Sequence, residues 1–241
     1  RGTRWVHWPK VLVDRMIDSR SPRQRRLIML KQIRGLMVIT LVACANLCLA
    51  QEFTITMEVD GELASVSSLA IGDAEAVVTT EEFAEHFDLV EELWYHEDLK
   101  QWISMAQSRE WLDLSIQQTE QSLHADTVPK EIRSFVEWMI DPVFEITMEG
   151  DTLTMVSGQV DYRILTEEPD FDTGNYFVYA RLNAYKKAMV DRKLPPMSEL
   201  KVIEELSRRG LVPVVMEVEL PAIPQAPTFR ITTESVTKAD G

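Results

Sequence analysis

Alternation of apolar and polar side chains constrains the fold of this 241-residue chain more than any other feature. From Phe53 to Val59, apolar side chains occupy every second position, with Thr or Glu between them. A period of two puts one apolar and one polar face on a β-strand. Asp60-Gly61 follows, a pair that supplies the positive backbone angles of a two-residue hairpin turn. This segment therefore predicts an antiparallel hairpin with one buried face.

Similar apolar segments, separated by turn residues, continue to the end of the chain. The hexapeptides that begin at Phe53 and Phe144 match at five of six positions, which indicates either a duplicated meander or two half-buried strands that use the same favoured residues. We predict further strands at Glu62 to Ala70, Ala76 to Thr79, Leu89 to His96, Gln101 to Ala106, Trp111 to Leu114, Phe144 to Met148, Leu153 to Met155, Val160 to Ile164, Val214 to Leu220 and Phe229 to Val236.

Helices are predicted where capping residues precede apolar side chains at helical spacing. The predicted helices are a short one at Thr80 to Glu85, a stretch that starts at the capping-box pair Ser115 and Gln118, one from Pro129 to Asp141, one from about Thr173 to Asp191, and one from Ser198 to Arg209, closed by Gly210. Together these elements predict a single α+β domain over residues 51–241. We expect a curved, mostly antiparallel sheet, with an incomplete barrel as one form of it, and three or four helices packed on one face.

The N-terminal region has the pattern of an export signal. A short basic segment, Met29 to Gly35, precedes fifteen uncharged and mostly apolar residues, Leu36 to Ala50. Fifteen helical residues fall short of the roughly 30 Å hydrocarbon core, so a stable transmembrane span is disfavoured. We interpret residues 29–50 as a secretory signal peptide that is cleaved between Ala50 and Gln51. Residues 1–28 are then a disordered leader or an over-extended gene start.

Cys44 offers an alternative fate for the same segment. Leu41-Val42-Ala43-Cys44 resembles the lipobox of bacterial lipoproteins, which implies a lipidated Cys44 as the new N-terminus; the other reading is an ordinary apolar residue of the signal. Cys48, the second of the two cysteines, lies in the same segment. Cleavage after Ala50 would leave a thiol-free chain, without disulfides, cysteine nucleophiles or thiolate zinc sites.

Charge is distributed unevenly along the chain. Residues 1–50 hold ten Lys and Arg against two Asp and Glu, so the total charge of −14 leaves −22 for residues 51–241. Such a body repels phosphate backbones, because nucleic-acid binding depends on neutralising phosphates with Lys and Arg. We therefore predict no nucleic-acid partner. The export signal places the protein in the periplasm or outside the cell, in the cell envelope.

The common catalytic motifs are missing, and we assign no catalytic, cofactor or metal residue. The chain has no Gly-x-Gly-x-x-Gly, no phosphate-binding loop, no Gly-x-Ser-x-Gly and no His-Glu-x-x-His. His96 with Glu97 and Asp98 offers the alternative of a metal-dependent hydrolase, since an imidazole and carboxylates bind metals and exchange protons. Neighbouring residues of a strand point to opposite faces, however, which favours a structural role for His96.

Two further acidic patterns have structural interpretations. The segment Asp170 to Asn175 is similar to a calcium loop, but it lacks a third ligand before the glycine, so Asp172 or Thr173 is predicted to cap a helix. Four carboxylates are expected on solvent-facing strand positions rather than in a paired glycosidase site: Glu145, Glu149, Asp151 and Asp161.

Methionine and tryptophan are abundant in the segments that we expect to face the core. Flexible, polarisable methionines can line an adaptable lipid or peptide pocket, but they also fill irregular cores, and we favour the core. The residues concerned are Met57, Met105, Met139, Met148, Met155, Met189, Met216, Trp94, Trp102, Trp111 and Trp138.

An exported chain with long antiparallel meanders and helices on one side resembles, in layout, the periplasmic lipoprotein-carrier (LolA-like) proteins. The resemblance covers the signal and about residues 51–166. It implies a curved, incomplete sheet around helices, with an apolar cavity that receives acyl chains. The chain also resembles uncharacterised exported bacterial proteins. We expect a non-enzymatic envelope protein that binds an apolar ligand, a lipid or acyl chain, or a protein partner; a structural adaptor is a further alternative.

Overall fold

The computed structural model describes residues 51–97, 99–123, 130–190, 197–223 and 225–235. The predicted leader, the signal segment, Cys44 and Ala50 lie outside the described residues, as does Asp98. Within the described ranges the protein is one curved, unclosed antiparallel sheet of eleven strands with four helices. The predicted α+β class and the curved antiparallel sheet are confirmed.

Most of the strands and helices coincide with alternating and helical segments of the sequence. The strands are β1 (Gln51–Val59), β2 (Glu62–Ile71), β3 (Glu75–Thr79), β4 (Ala84–Asp88), β5 (Leu93–His96), β6 (Gln101–Ser104), β7 (Glu145–Glu149), β8 (Thr152–Val156), β9 (Asp161–Glu167), β10 (Val212–Glu219) and β11 (Phe229–Ser235). The helices are α1 (Met105–Leu123), α2 (Lys130–Ile140), α3 (Gly174–Val190) and α4 (Met197–Arg209).

The sheet joins two meanders that are distant in sequence. Its strand order is β6-β5-β4-β3-β2-β1-β11-β10-β9-β8-β7, so the first strand and the last strand lie side by side at its centre. Phe53 pairs with Ser235 and Val59 with Phe229 in this central ladder. The two edges are β6 and β7, and the chain passes from one to the other through α1 and α2. The matching hexapeptides therefore occupy different places, one in the central strand β1 and one in the edge strand β7.

The predicted hairpin between β1 and β2 is confirmed in detail. Asp60 and Gly61 both have positive φ values, 53° and 78°. These angles match the right-handed twist of the flanking strands, which is why the Asp-Gly pair suits a two-residue turn. The Asp60 carboxylate also accepts a hydrogen bond of 3.1 Å from the backbone N–H of Thr228, the residue just before β11. The turn thus helps to fix the register between β1 and β11.

One face of the sheet, here called the inner face, holds two buried cores. The first core lies on the β1–β6 side and consists of Phe53, Leu69, Ile71, Ala76, Val78, Phe87, Leu89, Trp94, Ile103, Met105, Tyr179, Leu182 and Tyr185. The second core lies on the β8–β9 side and consists of Leu153, Met155, Val160, Tyr162, Ile164, Phe177, Ala184, Val202, Ile203 and Leu206. Helix α3 contributes side chains to both cores, so it links the two halves of the sheet.

An ion pair ties α3 to the first half of the sheet. Lys186 forms a salt bridge with Glu85 of β4, and both side chains are largely covered. The Lys186 ammonium also lies 5.8 Å from the centre of the Phe87 ring, within the range of a cation–π contact. Glu85 faces the inner side because it pairs with Val78 across the ladder. A charge at this largely covered position is tolerated because its partner is supplied by the helix.

Helix α1 corrects two predictions. Trp111 to Leu114 is not a strand but part of α1, which begins at Met105. The capping box is not the predicted pair Ser115 and Gln118. It is Ser104 and Gln107: the Gln107 backbone N–H donates to Ser104 Oγ (3.1 Å), and the Ser104 N–H donates to Gln107 Oε1 (2.9 Å). The spacing Ser-x-x-Gln at residues 104–107 was the signal for this helix start.

The predicted short helix at Thr80 to Glu85 is also wrong. Thr80 Oγ1 accepts hydrogen bonds from the backbone N–H groups of Glu82 and Phe83, both at 3.3 Å. The Thr80 N–H donates to the Phe83 carbonyl at 3.0 Å, which closes a turn between β3 and β4. Thr80 does cap backbone N–H groups as its sequence context predicts, but a threonine that bonds to the backbone ahead of it stabilises a turn as readily as a helix.

Among the residues that the structure describes, none of the helices combines the length and the apolar character that crossing a membrane requires.

Candidate functional site

A half-buried apolar surface lies on the inner face, between the two cores. We call it the central strip, and it comprises six side chains on the three central strands: Met57 and Val59 of β1, Phe229 and Ile231 of β11, and Met216 and Val218 of β10. Met57 and Val59 share a face with the buried Phe53, because residues an even number of positions apart in a strand point the same way. The strip is thus continuous with the buried surfaces on both sides.

The register aligns these side chains in two rows across the sheet. Met57 pairs with Ile231, which pairs with Met216, which pairs with the fully buried Ile164 of β9. One step along the strands, Val59 pairs with Phe229, which in turn pairs with Val218. Cross-strand pairs of this kind hold side chains about 4.5–5.5 Å apart at their Cβ atoms. The two rows therefore form a contiguous apolar floor.

The two cores cover the floor only in part. Met216 and Val218 contact the second core from its margin. Met57, Val59, Phe229 and Ile231 are members of neither core, and each remains half-buried among the residues that the structure describes. Apolar surface that stays accessible beside a core is a feature of interaction and ligand sites.

Hydroxyl groups border the floor on one side. Ser65 pairs with Met57, and Ser67 pairs with Ile55 along the β1–β2 ladder. Thr233 flanks Ile55 from β11. Since residues that pair across a ladder share a face, these three hydroxyls point to the inner side together with the apolar rows. An apolar floor beside neutral hydroxyls matches an amphiphile, with a chain on the floor and a polar group at the border.

The phenol of Tyr162 lies next to the strip, and its burial favours the neutral form. Tyr162 pairs with Val218, and its hydroxyl donates a hydrogen bond of 3.1 Å to Ser198 Oγ of α4. Burial raises the pKa of Tyr162 to about 12 and outweighs the lowering by the Ser198 hydrogen bond. The six side chains of the floor are thus uncharged, and the carboxylate of Glu62, which pairs with Val59, lies exposed at the β2 border. The floor itself is suited to holding an apolar chain.

His96, the residue of the alternative hydrolase prediction, has structural partners. Its ring stacks on Trp94 with ring centres 5.3 Å apart, and its Nδ1 accepts the Leu99 backbone N–H at 3.4 Å. Glu97 pairs instead with Lys100 at 3.1 Å. In the described parts of the chain, no three His, Cys, Asp or Glu side chains come together as a metal site would require.

Of the other candidate residues, Asp172 and Thr173 cap a helix as predicted, whereas Asp161 is half-buried and bonds to a turn. Asp172 Oδ1 accepts the Gly174 backbone N–H at 2.9 Å, and the Thr173 carbonyl accepts the Phe177 N–H at 3.0 Å, so this segment caps α3. Asp161 accepts the N–H groups of Ser157 and Gly158, both at 2.9 Å, and closes the turn before β9. The remaining three carboxylates are exposed: Glu145, Glu149 and Asp151.

The methionine and tryptophan prediction was correct in part. Trp94, Met105, Met139 and Met155 are buried, as expected for core residues. Trp102 and Trp111, however, are 47% and 59% exposed, the first on the outer face of β6 and the second on α1. Met57 and Met216 belong to the central strip. Sequence reasoning missed the strip as a site because it depends on the contact between β1 and β11.

Gln51, on the predicted cleavage bond, is the first residue of β1. Its side-chain amide donates a hydrogen bond of 2.9 Å to Ser235 Oγ, across the central ladder. Every strand and helix given above lies in residues 51–235, so cleavage before Gln51 would leave all of them whole.

Comparison with known proteins returned no relative: no family model, no curated protein and no solved structure matches the chain.

Proposed function

We propose that the protein is an exported, non-enzymatic envelope protein that binds an amphiphile, with an apolar chain on the central strip. One observation carries the proposal: six half-buried apolar side chains form an uncharged floor between two cores, on the helix-bearing face of the sheet. Covering apolar surface stabilises a complex by about 25 cal/mol per Å². The hydroxyls of Ser65, Ser67 and Thr233 then face the polar end of the ligand.

Charge narrows the class of ligand. Residues 51–241 carry a net charge of −22, which disfavours an anionic headgroup through long-range repulsion. An uncharged amphiphile, such as an acyl ester, should therefore bind more tightly than the corresponding fatty acid. This expectation agrees with the function that the lipoprotein-carrier layout implies, which stays a proposal for this chain.

Replacing Ile231 by aspartate should weaken binding of a fluorescent polyene fatty acid methyl ester at least tenfold. Ile231 lies in the middle of the floor, and a carboxylate there would have to lose its hydration on ligand binding. The free acid should bind more weakly than the ester to the unchanged protein. Fluorescence titration of the purified protein measures both affinities.

Thr232→Asp is the matched control for this experiment. Thr232 follows Ile231 in β11 and lies on the opposite face of the sheet. The control variant therefore adds the same charge to the same strand, but away from the floor. We expect the affinity to change less than twofold. Equal losses in both variants, or no saturable binding to the unchanged protein, would contradict the central strip as the site.

The proposed export leads to a separate prediction about the N-terminus of the mature chain. Mass spectrometry of the protein, recovered from bacterial cells that express the full sequence, checks it. We expect a mature chain that begins at Gln51 and is found outside the cytosol, because cleavage after Ala50 removes the signal. A chain that begins at an acylated Cys44 would support the lipidated alternative. Intact chain that retains Leu36 to Ala50 in the soluble cell interior would contradict export.

A further inference from the structure

The outer face of the sheet, opposite the helices, carries a row of alternating charges across its centre. Arg163 of β9 pairs with Glu217 of β10, which pairs with Arg230 of β11, which pairs with Glu58 of β1. Glu217 contacts both arginines: its carboxylate oxygens lie 3.2 Å from Arg230 Nη1 and 4.0 Å from Arg163 Nη1. Both arginine side chains are at least half exposed. The signs along the row are therefore plus, minus, plus, minus.

A row of uncharged side chains runs beside the charged one. This second row lies two residues further along each strand. Its members, each paired with the next across the ladders, are Leu165, Val215, Thr232, Thr56 and Val66, the last of them on β2. Leu165 and Val66 are both close to half exposed. Residues 51–241 carry a net charge of −22, so a surface without charge over five strands is unusual in this protein. Two copies of the chain can bring this row together without like charges meeting in it.

We infer that this outer face binds a second copy of the same chain. Its alternating row is self-complementary: a two-fold axis that runs parallel to the strands, midway between β10 and β11, would place each residue of the row opposite one of the other sign. Arg163 would face Glu58 of the second copy, and Glu217 would face Arg230. The same rotation places Leu165 opposite Thr56 and Val215 opposite Thr232, so no like charges meet in either row.

The shape of the sheet limits the strength of this dimer. Because the helices lie on the inner side of the curved sheet, the outer faces approach each other most closely along β10 and β11 and diverge beyond them. The long side chains Arg163 and Glu58 occupy the flanks, where the gap is wider. The contact is smaller than that of a permanent dimer, and we expect a dissociation constant on the order of 100 µM. The inference does not depend on the amphiphile proposal, which concerns the other face.

Sedimentation equilibrium of the purified protein over a range of concentrations tests the inference. The unchanged protein should show a monomer–dimer equilibrium that added salt weakens, because salt screens the exposed charges. Leu165→Glu should weaken dimerisation at least tenfold. Leu114→Glu is the matched control, since Leu114 on α1 is 48% exposed and Leu165 is 44% exposed; it should leave the dimer unchanged. A protein that stays monomeric up to millimolar concentrations overturns the inference.

Inverting the row gives a second test that keeps the net charge constant. In the variant Glu58→Arg/Arg163→Glu/Glu217→Arg/Arg230→Glu, every contact within the row retains opposite signs, so this variant should dimerise with itself. It should not form mixed dimers with the unchanged chain, because like charges would then meet at all four positions. Energy transfer between differently labelled chains distinguishes the cases. Mixed dimers as abundant as the self-dimers, or equal effects of Leu165→Glu and Leu114→Glu, would show that another surface makes the contact.

Discussion

Replacing Trp94 by alanine is expected to lower the free energy of unfolding by about 3–5 kcal/mol, which is a large fraction of the stability of an ordinary domain. Trp94 of β5 is completely buried in the first core. It pairs across the ladders with Phe87 on one side and Ile103 on the other. Truncation would leave a cavity at the point where two neighbouring strands meet the helices, and the surrounding side chains would collapse into it only in part.

A hydrogen-bond chain adds to the loss. The Trp94 indole N–H donates to Ser108 Oγ of α1 at 3.0 Å, and Ser108 donates in turn to the Ser104 carbonyl at 2.9 Å. Ser108 is itself fully buried. Without the indole, Ser108 loses one of two partners in a place that water does not reach. Trp94→Phe should therefore cost less than Trp94→Ala but still lose about 1–2 kcal/mol through this hydrogen bond.

Trp102→Ala is the control for the Trp94 variant. Trp102 lies on the same hairpin, but its side chain is 47% exposed on the outer face, where its ring meets Tyr95 edge-on at 5.5 Å. We expect a loss of about 1 kcal/mol or less, since little burial and a single aromatic contact are removed. Urea unfolding followed by circular dichroism measures the three variants. Equal losses for Trp94→Ala and Trp102→Ala would contradict the assignment of faces in this hairpin.

Most individual strands of this fold were predictable from the sequence, because each rests on local information. Apolar residues at every second position from Phe53 to Val59, and the Asp60-Gly61 turn, are sufficient to define β1 and the start of β2. The prediction of α2 succeeded in the same way, from apolar residues at helical spacing. Neighbouring strands of a meander pair with each other, so the order within β1–β3 and within β7–β9 also follows from the sequence. The place of β4 does not, because the capping residue Thr80 predicts a helix there.

The candidate site was not predictable, because it depends on contacts between distant parts of the chain. The central strip exists only because β11 pairs with β1, which places Ile231 next to Met57. No local pattern states that the last strand closes onto the first. The same holds for the matching hexapeptides: their residues are nearly the same, yet one lies in the central strand and the other at an edge. Residue pattern determines which face a strand buries, but not the neighbours of that strand.

The sequence of helix α1 resembles that of a strand for a different physical reason. A buried helix face normally shows as an apolar stripe, but in α1 this face includes the polar Ser108, which is buried because Trp94 and Ser104 satisfy its hydroxyl. At the same time Trp111 and Leu114 are exposed on α1, so apolar residues occur on both sides. The resulting pattern resembles the alternation of a strand. Only the capping pair Ser104 and Gln107 marked the segment as a helix.

High pH is expected to unfold the protein through its buried tyrosines, and this effect should exceed that of any single surface substitution. Burial raises the pKa of Tyr162 to about 12. Burial raises the pKa values of Tyr176 and Tyr179 further still, with nearby ionisable groups adding to the shift at Tyr179. All three lie between the helices and the sheet. Their neutral forms are compatible with the fold, whereas phenolates there would lack hydration.

The sign of the pH dependence follows from proton binding. An ordinary tyrosine loses its proton near pH 10, so above that pH the unfolded chain releases protons that the folded chain retains, and the free energy of unfolding falls. The free energy of unfolding falls by about 1.4 kcal/mol per pH unit for each such tyrosine, or by about 4 kcal/mol per pH unit for all three. The stability contributed by the neutral phenols is complete below pH 10 and is lost as the pH rises through the folded-state pKa values. The tyrosines should therefore leave the free energy of unfolding unchanged from neutral pH up to about pH 10. Between about pH 10 and 12 the free energy of unfolding should fall steeply.

Tyr179→Phe separates this linkage from general alkaline damage. The phenylalanine ring can keep the edge-on contact with Phe87, where the ring centres lie 5.1 Å apart, so stability at pH 7 should change little. The alkaline slope should become less steep by about 1.4 kcal/mol per pH unit, because one of three titrating groups is gone. Urea unfolding at several pH values measures the slope, and phenolate absorbance recorded alongside shows when the tyrosines ionise. The opposite outcome would be that all five tyrosines ionise while the circular dichroism of the folded state persists. In that case the ionised phenols would be hydrated within the folded protein at little cost in free energy, and the buried tyrosines would not control its alkaline stability.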